Sequence, residues 1–184
     1  MSGPVIADVT VGATVGGLEM RFTFPPTGEV VDLPLPEGQA RALREKARVY
    51  LSGAVRRAAR LNATAAQAAD ALYMLHGAGG ELMAMLAPDG LYLRLQDAFR
   101  LAWPLWQQPD WENPDAPLPV VQVNFREHAF PLELLPVFNL EPLIEPRTHD
   151  ERLRAASRFL GFTAMVRRTV SARTALPKLR PSDK

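Results

Sequence analysis

Apolar and polar residues alternate through the first part of the chain, which is the pattern of strands with one buried face. Runs with this period cover residues 5–11, 18–24 and 29–35. The glycine pair at 16–17 suits a tight turn between the first two runs. Because proline cannot donate to a strand ladder, Pro34 places the third run at a sheet edge. The pattern predicts an N-terminal β-hairpin with a third strand beside it.

Helical spacing of apolar residues begins near residue 37 and continues through the middle of the chain. It predicts helices over roughly 37–61, 64–76 and 91–103. Glycines between 77 and 80 interrupt the second of these, so a separate short helix is expected over 81–86. The many small residues on the apolar stripes predict that the helices pack closely together.

Two further strands are expected near the end of the chain. The run at 120–125 reads VVQVNF, which is apolar enough for a strand buried on both faces. One helical turn is expected at 131–135, a helix at 150–160 and a strand at 162–166. A helix-bearing crossover would separate the two strands, and such crossovers join parallel neighbours. We therefore expect these two strands to pair in parallel.

These elements predict an α+β or α/β fold, in which a helical segment lies beside a small mixed sheet. The chain divides into a β-rich segment over 1–36, a helical and strand-bearing region over 37–170 and a basic tail over 171–184. The first residues lack the pattern of a signal peptide, and no apolar run is long enough for a membrane helix. We expect a cytoplasmic protein without a membrane partner.

Charged residues occur in blocks, although the net charge is only +1. Basic residues predominate over 41–61 and 147–184, and acidic residues predominate over 1–40 and 62–146. The simplest interpretation is that opposite blocks pair within the molecule while the basic tail is solvated. Aromatic residues do not alternate with the basic ones, as they do on many surfaces that bind single-stranded nucleic acid. A nucleic-acid partner is therefore not predicted.

Residues that perform covalent, metal or phosphate chemistry are not clustered in the sequence. Cysteine is absent, and His76, His128 and His149 form no paired ligand motif. The segment Gly77–Gly80 follows a predicted helix rather than a strand and is not followed directly by lysine, so it lacks the arrangement of a phosphate-binding loop. We expect no metal, no cofactor and no catalytic residue, so the chain is not predicted to be an enzyme by itself.

Two segments carry a more specific pattern. The first is a strand followed by the residues Pro131, Leu132, Glu133, Leu134 and Leu135, which we call the box. The second contains Phe159, Leu160 and Gly161, followed by a strand that ends in Arg167 and Arg168. This order resembles the beginning of the CHAT domain, a caspase-like fold found in many bacterial proteins. The resemblance extends over roughly 64–170 and is strongest at 119–136 and 158–168.

The resemblance implies an incomplete caspase-like domain. Family peptidases place their catalytic His and Cys well beyond the box, and no position of this sequence matches them. The resemblance therefore assigns no catalytic residue, and it gives a structural role to Pro131, Glu133, Leu134, Leu135, Phe159, Leu160 and Arg167. Glu133 lies among apolar residues, where a buried carboxylate needs a partner, and the candidate partners are Arg167, Arg168 or backbone amides. The family box has an aromatic residue where this chain has Leu132.

Two interpretations of function follow from the resemblance. In the first, the chain is a non-catalytic front portion or subunit of a CHAT-type protein, with a scaffolding, regulatory or protein-interaction role. In the second, it is a stand-alone adaptor that keeps a CHAT-like fold without protease activity. Parallel strands with open edges invite another chain, although the N-terminal hairpin could close the sheet instead. We expect a protein partner or second chain to complete the sheet.

Overall fold

A computed structural model gives the fold as helices packed on one face of a sheet, which is an α+β arrangement. The structure describes residues 3–58, 64–87, 90–104, 117–125, 132–135, 137, 148, 151 and 159–170. The strands are β1 (Val5–Thr14), β2 (Gly17–Phe24), β3 (Glu29–Pro36), β4 (Val120–Phe125) and β5 (Met165–Val170). The helices are α1 (Glu37–Ala58), α2 (Ala65–Leu86), α3 (Leu91–Ala102) and α4 (Leu160–Thr163), with a 3-10 helix at Leu132–Leu134. None of these described helices is long and apolar enough to cross a membrane.

The five described strands form one mixed sheet in the order β3-β2-β1-β4-β5. The first three form the predicted hairpin and third strand, paired antiparallel. β4 pairs in parallel with β5, as predicted, and also in parallel with β1. The N-terminal hairpin therefore closes one side of β4 within the chain, and the expectation that another chain would complete the sheet there is wrong for that edge. Within the described residues, β3 and β5 are the two edge strands of the sheet.

One face of the sheet is apolar and carries the core. The register aligns Val31, Phe22, Val9 and Val123 across four strands, and all four side chains are buried. Phe99 of α3 packs edge-to-face against Phe22 and Phe24, at ring-centroid distances of 6.1 and 5.0 Å. Aromatic pairs favour this geometry because the ring edge and the ring face carry opposite partial charge. The period-two alternation of the early strands thus gives the buried face that the helices cover.

The predicted break of the second helix at Gly77–Gly80 is wrong, because α2 continues from Ala65 to Leu86. A glycine inside a helix destabilises the helix by about 1 kcal/mol relative to alanine, so local preference alone favours a break at these glycines. Packing offsets this cost, since Gly79 and Ala71 are buried and small residues let α1 and α2 approach closely. A capping box at the start of α2 also supports the helix, with Thr64 and Gln67 each accepting a backbone N–H of the other.

The last strand begins three residues later than the predicted start at 162, since Leu160–Thr163 forms the helical turn α4 and β5 runs from Met165 to Val170. The Thr163 hydroxyl donates to the Phe159 carbonyl at 3.0 Å, and this local bond favours the helical turn over an extended strand. Most of the helix predicted over 150–160, and the whole basic tail, lie outside the described residues.

Candidate protein-interaction site

The box lies on the apolar face of the sheet, beside β4 and β5. Leu132 and Leu135 are completely buried and belong to the main core. The Leu160 N–H donates to the Leu135 carbonyl at 3.0 Å, so the box is bonded directly to α4. Phe159 and Leu160 are buried as well. Pro131 and the side chain of Leu134 lie outside the described part of the chain.

Glu133 of the 3-10 helix forms an ion pair with Arg168 of β5. The Arg168 Nη2 lies 2.6 and 2.5 Å from the two carboxylate oxygens, and Nε lies 3.1 Å from Oε1. The side chains of Arg168 and Glu133 are 30% and 39% exposed, so the expectation of a buried carboxylate is wrong. A partly exposed pair contributes about 0–1 kcal/mol, less than the loss of a buried one would cost.

Arg167 and Arg168 lie on opposite faces of the sheet, because successive side chains of a strand alternate. Arg168 is in register with Val123 on the apolar face, where it reaches Glu133. Arg167 is in register with Gln122 on the other face and is exposed. Alternation alone shows that only one of two adjacent arginines can reach the box, and this signal was present in the sequence.

Gly161 is required by a close approach between α4 and the box. A Cβ atom at this position would lie 2.8 Å from Glu133 Cβ and 3.1 Å from the Glu133 carbonyl oxygen. Both contacts are shorter than ordinary van der Waals distances, and neither atom is the movable end of a flexible side chain. The glycine therefore lets α4 pack directly on the 3-10 helix. This packing fixes the position from which β5 begins.

The second face of the sheet, which we call the outer face, carries two polar rows that run across all five strands. The register aligns Asp32, Arg21, Thr10, Asn124 and Thr169 in one row, and Val30, Thr23, Asp8, Gln122 and Arg167 in the next. Cross-strand hydrogen bonds connect neighbours in the first row, where Thr169 bonds to Asn124. The sequence alone did not show these rows, because they depend on the register.

Arg21 is a charged residue of the outer face that is held by two acidic side chains. Its Nε donates to Asp32 at 2.7 Å, and Glu19 lies 3.5 Å away. The hydrogen bond that Arg21 donates to Asp32, followed by the charge of Asp32, raises the pKa of the Arg21 guanidinium above its ordinary value. Beside it lies an open depression of about 230 Å³ whose other lining residues include Thr10, Gly12 and Thr14.

A second cluster, Lys46, Tyr50 and Glu81, connects α1 to α2. The Tyr50 hydroxyl donates to Glu81 at 2.7 Å, and Lys46 forms an ion pair with the same carboxylate. The hydrogen bond from Lys46, then that from Tyr50, lowers the pKa of Glu81. The bond to Glu81 raises the pKa of Tyr50. Lys46 and Tyr50 are half-buried, Glu81 is exposed, and the three groups satisfy one another, so the cluster is a clasp between two helices.

The two edges of the sheet differ in a way that bears on association. β3 carries Pro34 and Pro36, and proline blocks pairing with a further strand because it has no N–H to donate. β5 carries no proline, and no strand pairs with its far side within the described residues. The edge of β5 is therefore the candidate site.

Within the described residues, no group of three or more His, Asp or Glu side chains is placed so that it could hold a metal ion. His76 lies within α2, and His128 and His149 fall outside the described residues. The chain was compared with protein-family models, with curated proteins and with solved structures, and none matches it. The function is therefore proposed from the geometry of the sheet, together with the resemblance of the box.

Proposed function

We propose that the chain is a non-catalytic protein-interaction scaffold of the CHAT type, whose sheet is extended at β5 by a strand from a protein partner. One observation carries the proposal. The edge of β5 lacks proline and is unpaired in the described residues, whereas the opposite edge at β3 is protected by two prolines. Proline is one of the devices by which natural sheets protect edges that must not associate, so the edge without proline is the more open of the two to an added strand.

The packing behind β5 makes this edge suitable for recognition. An added strand gains affinity from main-chain hydrogen bonds, and those bonds require a template that is already ordered. β5 is held by its parallel pairing with β4 and by the Arg168–Glu133 ion pair. The buried residues Leu135 and Leu160 hold the elements that precede the strand. The box therefore supports the edge and does not itself contact a partner in this proposal.

The proposal is tested by selecting extended peptides from a displayed random library on the immobilised chain and mapping their binding by hydrogen–deuterium exchange. We expect a class of peptides that slows amide exchange over 165–170 and leaves the β3 edge over 29–36 unchanged. Peptides that protect only other segments would contradict the proposal, and so would a failure to select any peptide. Exchange of β5 that is already slow in the free monomer would also contradict it, because the chain would then cover the edge itself.

A further inference from the structure

Arg167 has no opposite charge near it in its row of the outer face. Its neighbour on β4 is Gln122, which is neutral, and the nearest acid of the row is Asp8 on β1. Two strand spacings separate Asp8 from Arg167, or about 10 Å, which is close to the screening length at physiological salt. Arg167 is exposed and forms no ion pair with any residue that the structure describes. The next position of the row, beyond β5, would hold a residue of the added strand.

Two further residues of β5, Met165 and Thr169, lie on the outer face with Arg167. Met165 is 42% exposed, and Thr169 is exposed and bonds to Asn124. Cross-strand neighbours on one face contact each other directly and stabilise a sheet when they are complementary. A complementary strand would therefore place an apolar residue opposite Met165, an acidic residue opposite Arg167 and a polar residue opposite Thr169. These three positions alternate along the strand, as side chains on one face must.

The same arginines disfavour a second copy of the chain. In a closed two-fold dimer, the identical edge strands pair antiparallel and the outer faces of both copies lie on the same side of the joined sheet. One residue of the strand therefore lies directly opposite its own copy, at the two-fold axis. The two registers that pair the most residues of β5 are centred on Arg167 or on Arg168. Either register places an arginine opposite its own copy. Like charges directly opposite each other destabilise a strand pair.

We infer that β5 accepts an extended segment of a different protein that carries an acidic residue opposite Arg167, and not a second copy of this chain. The inference rests on the proposed function, because it specifies the partner of the edge that the proposal identifies. Electrostatic attraction to Arg167 would select the segment and fix its register, and main-chain hydrogen bonds would supply most of its affinity.

The test uses three probe octapeptides of alternating valine and threonine, with glutamate, glutamine or lysine at one central position. Their affinities are measured by fluorescence anisotropy for the natural chain and for Arg167→Thr and Arg167→Glu variants. Arg167 is exposed, so both variants should melt like the natural chain. We expect the natural chain to bind the acidic probe about two- to fivefold more tightly than the neutral one, and added salt to reduce this preference. Arg167→Thr should remove the preference, and Arg167→Glu should reverse it toward the basic probe.

The outcomes separate this inference from the proposed function. Probes of all charges that protect residues 165–170 equally, in every variant, would overturn the acidic partner and leave the scaffold proposal intact. Probes that fail to protect these residues at any charge would contradict the proposed function itself. Sedimentation should show a monomer of the natural chain, and a dimer whose β5 amides are protected without any probe would overturn the exclusion of a second copy.

Discussion

At the scale of single residues, the face of the strand on which a charged side chain lies determines which partner it can reach. Arg167 and Arg168 are adjacent in the sequence, yet one faces the outer side and the other pairs with Glu133. The sequence predicts that Glu133 needs a cation but not how exposed the pair is. That depends on the depth of the 3-10 helix in the core, which long-range packing determines.

Glycine substitutions should have opposite effects at two positions. Gly161→Ala places a Cβ atom 2.8 Å from Glu133 Cβ, and such overpacking should lower the free energy of unfolding by about 1–3 kcal/mol. Gly80 lies in the interior of α2 with open space around it, so Gly80→Ala should raise stability by about 0.5–1 kcal/mol. Urea denaturation of both variants measures the difference, and equal effects would show that α4 does not pack on the box as described.

The ion pair of the box should contribute only modestly. Glu133→Ala is expected to lower the free energy of unfolding by about 0–1 kcal/mol, because both partners are partly exposed. A double-mutant cycle with Arg168→Ala should give a coupling of similar size, whereas a cycle with Arg167→Ala should give none. Coupling of Glu133 to Arg167 instead of Arg168 would contradict the assigned faces of β5.

At the scale of elements, periodicity in the sequence predicts most strands and helices correctly. The alternation in β1, β2 and β3 reflects a sheet with one covered face, and VVQVNF marks β4 without error. Errors occur where local preference and packing disagree. The glycines of α2 favour a break that close packing against α1 prevents, and residues 162–163, predicted as the start of a strand, belong to the helical turn α4. The cross-strand rows of the outer face could not be predicted, because they require the sheet order.

The contact of α3 with the sheet should be sensitive to mutation. Phe99 is fully buried between Phe22 and Phe24, so Phe99→Ala should lower the free energy of unfolding by about 3–5 kcal/mol. Leu101 lies on the same helix but is 60% exposed, and Leu101→Ala should change stability by no more than about 0.5 kcal/mol. Comparable losses in the two variants would mean that the helix presents a different face to the sheet.

The clasp between α1 and α2 should make stability depend on pH. Because Lys46 and Tyr50 lower the pKa of Glu81 in the folded chain, its contribution is present above the unfolded carboxyl pKa and is lost as pH falls through the lower folded value. The thermal midpoint of the natural chain should therefore fall more between about pH 5 and pH 2 than that of a Glu81→Gln variant. Parallel pH profiles for the two proteins would contradict the clasp.

At the scale of the whole molecule, opposite charge blocks of the sequence meet in two of the ion pairs among the described residues. Lys46 of a basic block meets Glu81 of an acidic one, and Arg168 meets Glu133 in the same way. The interpretation of internal pairing is supported at these contacts, and Arg167 stands apart from it. The sheet has one apolar face, one polar face and two unlike edges. This asymmetry is the physical basis of the proposed scaffold.

The measurement that tests the central claim most directly is nuclear Overhauser spectroscopy of the isotope-labelled chain bound to an unlabelled acidic probe peptide. An added strand lies about 4.7–4.9 Å from its neighbour, close enough for backbone contacts between protons of the two chains. We predict intermolecular contacts from the probe to successive residues of Met165–Val170 and none to Glu29–Pro36. Contacts to β3, to the outer face or to the helices, with none to β5, would contradict the account.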